Sequence, residues 1–110
     1  HKINHFLGHV GGDDFVLILY SYNFGRLIKD IFDEFNLKIK NFYAYEDIKN
    51  GFLYEKNRFG RLEKYKILSL SVGIVTNKYK NITSVDDIYK YSAIAKKEAK
   101  KLNGNSLYVI

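Results

Sequence analysis

The chain contains no cysteine, proline, methionine or tryptophan among its 110 residues. Without cysteine it can form neither a disulfide nor a thiolate zinc site, and its cellular compartment stays open. No apolar run approaches the roughly 18 residues of a membrane span, and the start has no signal-peptide pattern. Because a natural chain begins with methionine, we expect these residues to be a piece of a longer protein.

The charge of the chain is basic but dispersed. A formal net charge of +6 would suit phosphate-bearing ligands or nucleic acid. The only cluster closes a predicted helix, where the helix dipole favours cations in any case; it consists of Lys96, Lys97, Lys100 and Lys101. The cluster is not interleaved with aromatic residues on one strand, as a sheet that binds single strands requires. We therefore expect no nucleic-acid partner.

The first third of the chain predicts a hairpin followed by a helix. Residues 3–10 and 15–20 have the composition of two strands, and residues 15–19 are continuously apolar. Such a strand is typically buried on both faces, so we expect Phe15 to turn into the core. Asn23 is a suitable N-cap for a helix that reaches about Phe35.

The remaining elements complete an α+β pattern. Residues 38–66 are the least regular: one or two helical turns fit 43–49, and 52–56 can pair with 61–65 as a second, exposed hairpin. Residues 67–75 predict a strand whose small residues leave room for a close neighbour. Ser84 begins a variant capping box, Asn103 and Gly104 end the helix behind it, and 106–110 form a last strand. This order predicts an α+β sandwich with helices on one antiparallel-rich sheet, and the length fits a single domain over residues 1–110.

The most informative motif is Gly11-Gly12-Asp13-Asp14, which lies between the first two apolar runs. Glycine permits positive φ and close approach of a ligand. The carboxylates are hard oxygen ligands of the kind that hold Mg²⁺ beside a nucleotide phosphate. The alternative is a tight polar turn without further function, because such residues are common in hairpin turns.

In this context the motif resembles the signature hairpin of the GGDEF domains, the diguanylate cyclase family. The Ser-Val-Gly-Ile strand at residues 71–74, Ala99-Lys100 and Asn105 also look like family features, in the family's order. The resemblance covers nearly the whole chain and corresponds to the C-terminal portion of the domain. Residues 42–43, 57–60 and 69–75 are further similar to GGDEF domains found alongside EAL phosphodiesterase domains. The resemblance implies a partial nucleotidyl-cyclase-like, ferredoxin-like sandwich.

The resemblance also implies an activity. Two such domains, each loaded with GTP, face one another in a homodimer and condense two GTP into cyclic di-GMP. Carried over to this chain, Asp13 and Asp14 would be catalytic, with Asp13 binding Mg²⁺, and Gly11, Gly12 and Lys100 would bind substrate. GTP or cyclic di-GMP would be ligands of the parent protein, and an EAL domain in the same chain is a further implied partner. The setting would be the bacterial cytoplasm, either free or in a membrane-associated parent, with no membrane contact by this segment.

Several departures weaken the expected activity. Asp14 stands where the family usually has Glu, and about 1 Å of misplacement can lower a rate 10²-fold. The family's inhibitory product site, Arg-x-x-Asp, is not matched by residues 2–5, and Gly104 stands at a usually basic position. The family's first strand and two helices, with a second metal-binding Asp and the guanine-binding groups, precede the hairpin and are absent. We expect the chain alone to be inactive and its parent to be a weak cyclase; the alternative is a catalytically degenerate module with a regulatory GTP- or partner-binding role.

The missing strand has a structural consequence. In the family's fold it lies in the middle of the sheet, between the hairpin and the strand at residues 67–75. Its loss would leave unpaired backbone groups along apolar strands. We therefore expect another chain to close these edges, by strand exchange or by pairing across a dimer axis, or else the missing half to be present but separately cleaved.

Overall fold

The computed structural model describes residues 4–110 and has an α+β architecture of three helices and six short strands. Residues 1–3, which include the start of the first predicted strand and half of the segment compared with the product site, lie outside the described residues. A short 3₁₀ turn, Lys40–Phe42, follows the first helix. The strands and helices are β1 His5–Gly11, β2 Asp14–Leu19, α1 Gly25–Ile39, α2 Tyr45–Asn50, β3 Phe52–Lys56, β4 Leu62–Lys66, β5 Ser71–Ile74, α3 Val85–Lys100 and β6 Ser106–Val109.

The strands form three separate two-stranded sheets, which corrects the expectation of one sheet. Over residues 4–110, β1 pairs only with β2 and β3 only with β4, both antiparallel, while β5 pairs in parallel with β6. The strands thus pair two by two in chain order, and among the described residues no strand joins two of these pairs. Two compact units result: one ends at Ile31, and the other is Phe32–Ile110. None of the helices described is long and apolar enough to cross a membrane.

In the first unit, β1 and β2 form the predicted hairpin. The strands pair from His5 opposite Leu19 to Gly11 opposite Asp14, with a bulge between His9 and Gly11. The turn consists of two residues, and Gly12 takes a φ of 55° there. Glycine adopts this left-handed conformation with the least strain, so the turn geometry accounts for the glycine at position 12 of the motif.

The prediction that Phe15 turns into the core is wrong. Its side chain is 68% exposed, and the next three residues of β2 are between 36% and 49% exposed. The error has a physical cause. A continuous apolar run is buried when other layers cover both faces of its sheet, but the β1–β2 hairpin is a two-stranded ribbon with both faces largely exposed.

Helix α1 begins later than its sequence suggests. The carbonyl of Phe24 accepts the first helical hydrogen bond, 3.0 Å from the nitrogen of Ile28. Asn23 is not the N-cap, because it lies one residue earlier and its own N–H donates to Ser21 Oγ at 3.1 Å. Ile28 is the one buried residue of this helix, with 6% of its surface exposed.

The second unit has its core where α3 crosses between the parallel strands β5 and β6. Ala95 and Ala99 face the strands and have no exposed surface. A Cβ built on Gly73 would lie 2.5 Å from the backbone nitrogen of Lys96, so the strand and the helix touch at this glycine. The buried hydroxyl of Ser106 donates to the carbonyl of Ala99 at 2.7 Å. The predicted close neighbour of the Ser-Val-Gly-Ile strand is therefore helix α3.

Helix α3 begins as the capping pattern predicts. Ser84 Oγ accepts the N–H of Asp87 at 3.2 Å. The Asp87 carboxylate reaches back to Thr83 and accepts its N–H at 3.0 Å and its hydroxyl at 2.9 Å. These hydrogen bonds, the one from the backbone of Thr83 first, lower the pKa of Asp87 below its ordinary value.

Candidate functional site

The tip of the β1–β2 hairpin is held by a histidine on the first strand. The Nε2 of His9 donates to the carbonyl oxygen of Gly12 at 2.8 Å. The imidazole also stacks on Phe15, with ring centroids 4.6 Å apart and planes at 19°. The His9 side chain therefore links the turn to both strands. The exposed Phe15 ring is the surface on which the imidazole stacks.

The two carboxylates of the motif occupy different environments. Asp13 is exposed in the turn, whereas Asp14 is half-buried at the start of β2, opposite Gly11. In residues 4–110 no group of three His, Asp or Glu side chains is placed to hold a metal by protein ligands alone. One exposed carboxylate at the turn, with a second in the next residue, still fits Mg²⁺, which is usually held by one or two carboxylates together with waters and substrate phosphates.

The remaining predicted site residue, Lys100, lies in the second unit. It is exposed in the last turn of α3. The four motif residues thus lie together at the hairpin tip, and Lys100 belongs to a different element in a different unit.

The closing turn after α3 explains two features of the sequence. Gly104 has a φ of 69°, a left-handed conformation that glycine adopts with little strain. Asn105 donates from Nδ2 to Asn36 at 2.7 Å and accepts the N–H of Leu70 at 2.8 Å. Asn105 therefore fixes the turn against α1 and the start of β5, which is a structural role.

The second unit also contains an open groove of about 800 Å³. Its walls are the end of α1, the β3–β4 hairpin and the turn after α3. Its cationic side chains are Lys40, Lys64 and Lys66. Among the described residues no Asp or Glu lines it. The groove is therefore basic although the lysines are scattered along the sequence.

The register of the β3–β4 hairpin explains why its lysines and its acidic side chains lie on different faces. Phe52 pairs with Lys66, Tyr54 with Lys64 and Lys56 with Leu62, and alternation along the strands places all six on one face. The acidic side chains Glu55 and Glu63 pair on the other face. One face of the ribbon thus combines three lysines with two aromatic rings.

On the acidic face, hydrogen bonds offset part of the repulsion between the paired glutamates. Asn57 Nδ2 and the hydroxyl of Tyr65 donate to the same oxygen of Glu63, at 3.2 and 3.0 Å. The hydrogen bond to Glu63 raises the pKa of the Tyr65 phenol.

Sequence reasoning missed the basic face for a specific reason. It sought lysines and aromatic residues interleaved on a single strand, whereas this face is assembled from two. The signal was present in the sequence. The basic and aromatic side chains of this face stand at the even positions of 52–56 and 62–66, whereas Glu55 and Glu63 stand at odd positions. Reading it required the register of the hairpin.

Comparisons of the chain with protein-family models, with curated proteins and with solved structures found no match in any of the three.

Proposed function

We propose that the chain is part of a GGDEF-type module from a cyclic di-GMP signalling protein, and that its β1–β2 hairpin binds GTP together with Mg²⁺. The observation that carries this proposal is the exposed two-residue turn, with Gly12 at positive φ and Asp13 beside it. This turn leaves room for a phosphate next to a carboxylate.

In this proposal Asp13 and Asp14 supply carboxylate oxygens to the metal, and Gly11 and Gly12 allow the nucleotide to approach the backbone. Lys100 contacts phosphate as a point charge when the module is complete. When bound, Mg²⁺ would neutralise phosphate charge. His9 positions the turn through its hydrogen bond to Gly12 and its stacking on Phe15.

The chain alone is not expected to condense GTP. A single carboxylate pair cannot position two nucleotides for attack of a 3′-hydroxyl on an α-phosphate. In the full-length parent we expect weak activity, because the Asp14 side chain is one methylene shorter than the usual Glu, and we expect Asp14→Glu to raise it.

A second candidate function is a degenerate module that binds GTP or a partner domain without catalysis. Gly104 favours it, because its left-handed backbone removes a phosphate-binding cation from the closing turn. No gain of activity from Asp14→Glu in the parent would support this candidate over the cyclase.

We also propose that the chain self-associates through the β1–β2 hairpin. The hairpin presents apolar side chains on both faces, among them Phe6 at 56% and Leu7 at 64% exposure. Apolar surface of this kind often marks a protein interface. A second copy that pairs with a strand edge and also packs on a face of the hairpin would cover it, in line with the homodimer that the family resemblance implies.

The test is calorimetric titration of the purified chain with GTP, with and without Mg²⁺. We expect a component of the GTP binding that requires Mg²⁺, and this component should weaken at least about tenfold in Asp13→Asn, which corresponds to loss of one charged ligand. The matched control is Asp86→Asn, which removes an exposed carboxylate from the first turn of α3. Equal affinity with and without Mg²⁺, or equal loss in both variants, would refute binding at the hairpin. Formation of cyclic di-GMP by the chain, lost in Asp13→Ala, would refute the expected inactivity.

A further inference from the structure

The basic groove of the second unit has the dimensions of a small-molecule site. Its volume of about 800 Å³ lies in the range of pockets that hold drug-sized or nucleotide-sized ligands. Apolar side chains contribute to its lining, including Ile39, Ile48 and Ile67. Such a lining accommodates a planar or apolar body as well as a charged group.

One cation of the groove lies against an aromatic ring, and the other two lie elsewhere along its walls. The ammonium of Lys64 lies 4.0 Å from the ring centroid of Phe52. Lys66 Nζ donates to Asn103 Oδ1 at 3.3 Å, which directs this side chain towards the turn after α3. Lys40 lines the groove from the end of α1. Because like charges repel, three ammonium groups in one groove without a carboxylate favour a bound anion.

Hydrogen bonds hold the polar wall of the groove in place. Asn36 and Asn105 are joined at 2.7 Å, and Asn105 also binds the backbone of Leu70. With Asn103 and Gly104 they bring side-chain amides and a glycine backbone to the groove. These groups can donate hydrogen bonds to phosphate or base oxygens.

We propose that this groove binds a phosphorylated small molecule of nucleotide size. Its phosphate lies among Lys40, Lys64 and Lys66, and its ring system packs on Phe52 and the apolar lining. This site belongs to the second unit, is lined by no Asp or Glu among the described residues and needs no Mg²⁺. A result that excludes binding in this groove therefore leaves the proposed Mg²⁺-dependent binding at the β1–β2 hairpin untouched, and the reverse also holds.

The experiment titrates the ¹⁵N-labelled chain with guanosine or adenosine 5′-monophosphate in EDTA at low salt, followed by amide chemical shifts. We expect shifts at residues 64–69 and 103–105, weaker binding of ribose 5-phosphate and none of the unphosphorylated nucleosides. Lys64→Ala with Lys66→Ala should lower the affinity at least about tenfold. Lys38→Ala is the matched control, because Lys38 pairs with Glu34 at 3.4 Å and does not line the groove; its effect should be under about twofold.

A second variant tests the ring contact. Phe52→Leu keeps an apolar side chain and should weaken binding of the nucleotides while leaving that of ribose 5-phosphate unchanged. The proposal is overturned by an absence of shifts at millimolar nucleotide, or by equal affinity in the double-lysine variant and the Lys38 control. It is also overturned if an oligothymidylate binds along Tyr54 and Lys56 and nucleotides do not displace it, since the face would then be a surface for single-stranded nucleic acid.

Discussion

Strands β2 and β5 are both rich in apolar residues, but their surroundings differ. In β2, Phe15 and Ile18 are 68% and 49% exposed. In β5, every residue is half-buried, and α3 lies so close that Gly73 has no room for a Cβ. Small residues on both sides make this approach possible, because Ala95 and Ala99 face the strands. Whether an apolar strand is buried thus depends on a neighbouring element that packs closely against it, as well as on the apolar content of the strand itself.

The difference separates a folding core from an exposed ribbon. The β5–α3–β6 segment buries Ala95, Ala99 and Ser106, and the Ser106 hydroxyl donates a hydrogen bond within the segment. The β1–β2 hairpin has a regular ladder, but an isolated two-stranded ribbon is at best marginally stable. Its exposed apolar faces are the surface through which we propose that the chain self-associates.

Paired glycine substitutions should produce the largest effect and test this comparison directly. In Gly73→Ala the new Cβ would meet the backbone of Ala95 and Lys96, at 2.7 and 2.5 Å, so the helix must move. We expect a loss of about 2–3 kcal/mol in the free energy of unfolding, measured by urea denaturation. In Gly8→Ala the nearest atom is on the Phe6 ring at 3.0 Å, and that exposed ring can rotate. We expect a change within about 0.5 kcal/mol. Equal losses would show that the two regions are equally packed.

Low pH should reduce the free energy of unfolding of the second unit through the start of α3, by less than Gly73→Ala does. The pKa of Asp87 lies below its ordinary value of 3.8 because Thr83 donates hydrogen bonds to its carboxylate. Folding is therefore favoured above that value, and this contribution is lost as the pH falls through the lower pKa of the folded state. Between about pH 6 and pH 3, Asp87→Asn should lose less stability than the original chain. Identical pH profiles of stability for Asp87→Asn and the original chain would contradict this assignment.

Features encoded by neighbouring residues could be predicted from the sequence. The β1–β2 turn needs glycine at positive φ, and the start of α3 depends on side chains within four residues of Ser84. The close approach at Gly73 was also foreseeable, because small residues interrupt an apolar strand there.

Features that depend on distant pairing could not be predicted in the same way. The exposure of Phe15 depends on whether another layer covers the hairpin, and the number of sheets depends on which strands find one another. The basic groove depends on the register that pairs Phe52 with Lys66 and on the hydrogen bond between Asn36 and Asn105, 69 residues apart in the sequence. Composition and local spacing carry no information on such partners.

Substitutions on the hairpin faces should have the smallest effect on folding but a measurable one on association. Phe6 and Ile18 are cross-strand partners, 56% and 49% exposed. Threonine at both positions keeps a high β propensity and removes apolar surface. We expect the unfolding free energy of the dissociated chain to change by less than about 0.5 kcal/mol. Sedimentation at micromolar concentration should shift from a self-associated species towards the 12.9 kDa monomer.

The matched control for this association test is Phe42→Thr with Leu62→Thr, which removes an aromatic and an aliphatic side chain that are 78% and 69% exposed in the second unit. This variant should sediment like the original chain, because the proposed contact lies on the β1–β2 hairpin. If the original chain is already a 12.9 kDa monomer, the proposed self-association is wrong. If both double variants dissociate equally, the contact is a general effect of apolar surface and does not distinguish the hairpin from the rest of the molecule.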